Sequence, residues 1–306
     1  MSEALPPPQS TRAAILIPFA IVTLIWGSTW LVIRDQLGVV PPSWSVTYRF
    51  IVAGCAMALV ARIKGERFAL DGRGWAFACA VGLLQFCLNF NFVYRAEHYI
   101  TSGLVAVVFA ILLVPNALLA RVFLGQRMGR QLVVGSAVAM AGIALLFLHE
   151  ARTGPAGASA TLAGIGFTAI AILSASGANV LQATPTAKRY PMLSTLAVAM
   201  LIGAAIDGAV AWVLTGPPVV EMRAAYWGGI LYLGLFGSAF AFPLYYRILR
   251  VIGPAKAAYS SVIVPVIAML LSTLFEGYRW SPLAAAGAGL AGVGLVIALS
   301  SRRPNR

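Results

Sequence analysis

Ten stretches of the chain are almost continuously apolar: 13–33, 44–61, 75–94, 101–120, 131–148, 161–181, 192–214, 225–246, 254–274 and 281–299. The short segments between them hold most of the charged residues. Each run is close to the roughly 20 residues that a helix needs to cross a bilayer. Hydrocarbon offers no water to bond the backbone, so a spanning segment must satisfy its own amides and carbonyls, and a helix does so. The pattern predicts an all-α integral membrane protein with ten transmembrane helices. The first run is too long for the apolar part of a secretory leader, and Arg34-Asp35 follows it rather than small residues. It is expected to stay as a helix.

Composition agrees. The chain of 306 residues is 60% hydrophobic and 10% charged, whereas soluble domains carry about 25% charged residues. The net charge of +13 raises the question of a nucleic-acid partner. Its distribution answers otherwise. Sixteen of the 22 Lys and Arg residues fall in the N-terminus, the C-terminus and the loops after the even-numbered runs. Under the positive-inside rule both termini are cytoplasmic, and the bacterial inner membrane is the expected location. The basic excess records topology, with the lipid bilayer as partner and no nucleic acid. Cys55, Cys79 and Cys87 lie inside apolar runs, which implies no disulfide framework. The two histidines, His98 and His149, sit at loops, and Asp207 is the one carboxylate inside an apolar run. Neither a nucleophile–base pair nor paired acids nor a metal-ligand spacing is present, so no enzyme, cofactor or metal is expected.

Sliding the chain along itself reveals two halves. At an offset of 152, Trp75, Gly82, Phe90, Tyr94, Arg95, Gly125, Gly135 and Gly142 meet Trp227, Gly234, Phe242, Tyr246, Arg247, Gly277, Gly287 and Gly294. Upstream the better offset is 150, which pairs Gly27 with Gly177 and Pro41 with Pro191. The Gly/Pro-containing segment 149–160 separates a repeat over 13–148 from one over 161–299. Five helices per repeat oblige the second to enter the membrane from the opposite side. Inverted repeats of this kind characterise secondary transporters with a site near the midplane.

The motifs point the same way. "WGSTW" (26–30), "YRF" (48–50), "FLGQR" (123–127) with "GSAVAMAGI" (135–143), and "FEGYRW" with "GAGLAGVGL" resemble the drug/metabolite transporter superfamily, EamA type. Gln126 stands where that family often has Glu, and Glu276 precedes Gly277 rather than following it. The resemblance therefore gives neither residue a carboxylate role. Within the family the chain is most similar to the YddG-type exporters of aromatic and neutral amino acids. That likeness implies export of small amphipathic metabolites by alternating access. It also implies a cavity among helices 1–4 and 6–9, with helices 5 and 10 peripheral. A general efflux carrier for lipophilic cations is the alternative, and a structural or receptor protein a remoter one.

Polar residues inside the runs are the candidate site. In "GLLQFCLNFNFVYR" (82–95), helical geometry sets Asn89 about 40° from Gln85 and Phe92 about 20° away on the other side. A polar contact between membrane helices is worth only about 0.6 kcal/mol. An unsatisfied amide in hydrocarbon costs several kcal/mol, which a wet cavity avoids. Gln85 and Asn89 therefore read as cavity lining, and Asn91, on another face, as structural. Their equivalents in the second half are Gly237 and Ala241, so the scaffold does not require amides there. Phe86 and Tyr94, with Ser238, Phe242 and Tyr246, offer a mainly aromatic wall. Trp26 and Trp30 share a face of the first helix, and Ser176, Asn179 and Gln182 form a polar stripe in the sixth. Pro115, Pro243 and Pro265 are candidate kinks for gating. Asp207 is read as a hydrated or hydrogen-bonded structural acid, with ion coupling the rival reading. Arg49 either snorkels to the surface or attracts a carboxylate at the outer gate. The cavity is otherwise expected to be neutral. Small residues at Gly135, Ala139 and 287–294 suit close contact between helices 5 and 10 within a monomer, with a dimer as the alternative.

Overall fold

A computed structural model describes residues 9–126, 129–153, 157–257 and 260–299. Arg127 of the "FLGQR" motif lies outside the described residues. The long helices are α1 (Gln9–Asp35), α2 (Pro42–Ile63), α3 (Gly72–Glu97), α4 (Ser102–Leu124) and α5 (Arg130–Thr153). They continue with α6 (Gly157–Gln182), α7 (Met192–Thr215), α8 (Ala224–Val251), α9 (Ser260–Phe275) and α10 (Pro282–Leu299). Among the described residues, seven are long and apolar enough to cross a membrane, and α5, α9 and α10 contain shorter apolar stretches.

Local chemistry sets the ends. Pro42 opens α2 at a first-turn position that has no use for an amide hydrogen. Asp71 caps α3, its Oδ1 accepting from the Gly74 N–H at 2.8 Å. Gly125 ends α4 with φ +65°, and its repeat partner Gly277 follows α9 with φ +69°. A side chain at either position would strain the left-handed backbone.

The two halves are bound by contacts that recur with the halves exchanged. On α5, a Cβ at Gly142 would meet the Gly287 carbonyl oxygen of α10 at 2.5 Å. At its partner Gly294, a Cβ would meet the Gly135 oxygen at 2.6 Å. Likewise a Cβ at Gly82 of α3 would lie 2.6 Å from the Ala199 oxygen of α7, and one at Gly234 of α8 would lie 3.1 Å from the Arg49 oxygen of α2. Residues 49 and 199 are separated by the same offset of 150 seen in the sequence. A third pair lies at the helix ends. The Trp44 indole donates to the Gly216 carbonyl at 3.3 Å, while Glu66 accepts from the Ser194 backbone at 2.9 Å. Reciprocal contacts of this form identify a pseudo-twofold axis between the repeats. The small-residue faces of α5 and α10 are thus used against each other within the chain.

Polar latches join the halves at both ends. At one end Arg223 pairs with Asp35 at 2.9 Å. At the other, the Asp71 carboxylate accepts from the Tyr190 hydroxyl. That hydrogen bond, and secondarily the one from Gly74, holds the Asp71 carboxyl below the usual carboxylate range. The stabilisation is complete above the ordinary carboxylate value and is lost as pH falls through the lowered one.

Both α3 and α8 depart from α-helical winding at equivalent places. Gly82–Asn89 and Leu235–Phe240 are π-helical. Bonding to the fifth residue turns each position through less than an α-helical step, so the azimuths expected for residues 85–95 shift. Phe92 leaves the Gln85 face and stacks on Phe167 of α6 at 5.9 Å. Phe90 and Val93 take its place. Such π segments gather at functional sites, and here both flank the central cavity.

Candidate functional site

A cavity of about 110 Å³ lies between the repeats, lined from α1, α2, α3, α4, α6, α8 and α9. Of the residues singled out in the sequence, Trp26, Trp30, Arg49, Gln85, Asn89, Asn179, Phe242 and Pro265 line it. α7 contributes no lining residue, and α5 and α10 stand apart from it.

The wall is mostly aromatic. Trp26 sits 5.4 Å from Phe242 and 4.9 Å from Tyr245, and Trp30 sits 5.4 Å from Phe109. The Trp26 indole N–H donates to the Gly237 carbonyl at 3.1 Å. Gly237 belongs to the π segment of α8, so one half's irregular turn orients the other half's tryptophan. Gln85 accepts from the Tyr246 hydroxyl at 3.4 Å, again between repeats.

Arg49 is the main correction to the sequence reading. It is only 1% exposed and does not snorkel. Its Nε donates to the Ser238 hydroxyl at 3.1 Å, and its guanidinium lies 4.2 Å from the centre of the Phe90 ring. The cavity is therefore cationic, not neutral. A short loop precedes α2, but depth along a helix does not reveal azimuth. Packing between α3 and α8 turns this side chain inward.

Among the described residues, three polar atoms of the cavity lining are buried without a hydrogen-bond partner: Arg49 Nη1, Trp30 Nε1 and Asn89 Oδ1. Natural structures satisfy the great majority of such groups. Two donors and one acceptor are thus left unpaired among the residues of one small apolar chamber. A fourth, Asn116 Nδ2, is close by, since its Oδ1 accepts from Asn179 at 3.5 Å. Asn116 had a visible signal, an amide beside Pro115 within an apolar run.

Other expected site residues serve elsewhere. Phe86, one residue round the helix from Gln85, is packed between Phe50 and Phe242, 5.1 and 5.2 Å away, behind the wall. The Tyr94 hydroxyl donates to Gln36 at 2.7 Å. Gln182 accepts from Arg250 at 2.8 Å, beyond the end of the cavity. Ser176 is fully buried outside the lining, and Ser238 and Tyr246 stand behind it as partners of Arg49 and Gln85. Pro115 follows a 3-10 turn at Ala110–Leu112, and Pro243 follows the π segment, so both mark irregular winding away from the lining.

Asp207 is fully buried. It accepts from the Asn91 amide, whose oxygen takes the Ser43 hydroxyl at 2.6 Å. This network ties α7, α3 and α2 together, the structural role expected of Asn91. A further acid is hidden by the run boundaries. Glu97 lies just past an apolar run, yet α3 continues through it and buries it completely.

The EamA-like transporter family model matches residues 13–148 and again 162–300. The chain belongs to that family. Among its relatives, the "uncharacterized inner membrane transporter YedA" of Escherichia coli is 32% identical over 83% of this chain and 80% of that protein. PagO of Salmonella typhimurium is 26% identical over 88% of each chain. A "probable terminal-alkyne amino-acid exporter" of Streptantibioticus cattleyicolor is 28% identical over 94% of this chain and 93% of that one. A crystal structure with 21% identity superposes with a TM-score of 0.69 over 94% of this chain and 97% of that chain, a likeness of fold. This EamA-type protein is a multi-pass membrane transporter and not an enzyme.

Proposed function

We propose that this EamA-type carrier exports amino acids, with aromatic or neutral side chains, across the bacterial inner membrane by alternating access. One observation carries the reading. The unmet groups of the cavity complement a zwitterion. Arg49 Nη1 and Trp30 Nε1 would donate to the carboxylate, and Asn89 Oδ1 would accept from the ammonium. Trp26, Phe90 and Phe242 would enclose an apolar or aromatic side chain. An arginine in the chamber disfavours the rival ligand class, lipophilic cations, by like-charge repulsion and desolvation. The relative that carries "amino-acid exporter" in its name supports the same class.

Counterflow of labelled amino acids into proteoliposomes tests the reading. Saturable exchange of zwitterions, with no exchange of lipophilic cations, is the expected result; the reverse selectivity would overturn it. Gln85→Ala and Asn89→Ala should weaken binding by up to roughly tenfold, the worth of one hydrogen bond of about 0.5–1.5 kcal/mol. Melting temperature should change little in Asn89→Ala, since Asn89 Oδ1 has no partner among the described residues to lose, and only slightly in Gln85→Ala, which gives up the long 3.4 Å bond from Tyr246. A large thermal loss with unchanged substrate profile would make these amides structural.

The ten-crossing arrangement with both termini cytoplasmic belongs to the same proposal. Single cysteines in a background without Cys55, Cys79 and Cys87 provide the measurement. Those placed in 62–74 should react from the cytoplasmic side, and those in 149–160 from the outer side. The opposite pattern would invert the topology.

A further inference from the structure

Glu97 is 0% exposed, and both its carboxylate oxygens lack a hydrogen-bond partner. An ion held so costs several kcal/mol unless it is neutralised. The charged and titratable groups that face it come from three other elements. α1 supplies Arg34, whose guanidinium donates to the Glu97 backbone carbonyl rather than to its carboxylate. α2 supplies Arg49, within electrostatic reach. The end of α9 supplies Glu276, also within reach, with Oε1 buried and unpartnered and Oε2 held by Ser272. Its own helix adds Tyr94, and His98 follows. α6 contains no titratable residue, and α4 has only Arg121, at its far end.

Placement gives these groups an order. Glu276 and Arg34 line a cleft of about 580 Å³ between the ends of α1 and α9 and the start of α8. Arg34 reaches from that cleft to the Glu97 backbone, and Arg49 lines the central cavity. A path of ionisable groups thus runs from the cleft to the cavity.

We propose that Glu97 is a proton-binding site, supplied from the cleft through Glu276 and linked electrostatically to Arg49. With the cavity empty, the Arg49 cation favours the Glu97 anion. Burial and the neighbouring Glu276 oppose that charge, and a carboxylate ligand on Arg49 weakens the counter-charge and shifts the balance further toward the neutral acid. The last step rests on the amino-acid reading above; the proton site and its link to Arg49 do not.

Infrared difference spectra of the full-length protein between acidic and alkaline buffer read the site without any ligand. A protonated-carboxyl band that titrates should be present, should be lost in Glu97→Gln, and should survive in Asp207→Asn. Glu97→Asp should shift the band, which assigns it independently if the Gln variant does not fold. Arg49→Met should raise the pH at which the band disappears by about one unit or more, as loss of a neighbouring opposite charge requires. Loss of the band in Asp207→Asn instead, or an unmoved midpoint in Arg49→Met, would overturn the proposal. Failure of every amino acid to exchange would count against the substrate reading alone.

Discussion

Arg49→Met is expected to weaken amino-acid binding by about thirtyfold or more while leaving the melting temperature unchanged or higher. The two effects separate because the guanidinium is not a scaffold element. It donates to Ser238, has the Tyr94 hydroxyl beside it, and leaves Nη1 unmet. Removing one partner of a desolvated charge pair costs about 2–5 kcal/mol, and each 1.4 kcal/mol is a factor of ten. In the empty protein the same charge is a burden, since a buried ion without a full partner destabilises. Methionine has nearly the same reach and fills the space against Phe90. Arg49→Lys should recover little, because a lysine cannot supply a planar fork or stack on a ring in the same way. Isothermal titration and thermal melting on the same preparations check both halves. Retained affinity together with a large drop in melting temperature would make Arg49 a structural residue and remove the central support for a zwitterion site.

The legibility of this site in the sequence follows from what a helical pattern encodes. Polar residues at mid-depth in an apolar run announce themselves, so Gln85, Asn89 and Asn179 were visible, and Trp26 and Trp30 came with the family motif. Azimuth was not encoded where winding changes. The π segments at 82–89 and 235–240 carry no clear sequence signal beyond Gly82 and Gly234, yet they move Phe92 off the expected face and expose the Gly237 carbonyl to Trp26. Charges near run ends were ambiguous for another reason. Arg49 and Glu97 stand at depths where a side chain can reach water, and only the packing of neighbouring helices decides that neither does. The repeat was the most informative feature. Its two offsets, 152 and 150, reappear as the spacings of reciprocal contacts in space.

Gly142→Leu and Gly294→Leu should each lower stability strongly, and by similar amounts. In most proteins two such distant glycines would have no reason to agree. Here they occupy equivalent places about a pseudo-twofold axis. A Cβ at either would press on the backbone of the opposite helix, with the Gly287 oxygen at 2.5 Å in one case and the Gly135 oxygen at 2.6 Å in the other. Backbone does not yield as the tip of a side chain does, so α5 and α10 must separate. Overpacking costs about 1–3 kcal/mol where side chains can adjust, and more is expected where they cannot. The cavity lies on other helices, so exchange by the fraction that still folds should retain its substrate profile. Melting in detergent alongside counterflow distinguishes these effects. A variant pair in which one substitution is severe and the other silent would contradict the twofold relation of the halves. That relation also predicts the milder case. Gly166→Leu on α6, where a Cβ meets nothing within 4 Å, should fold normally.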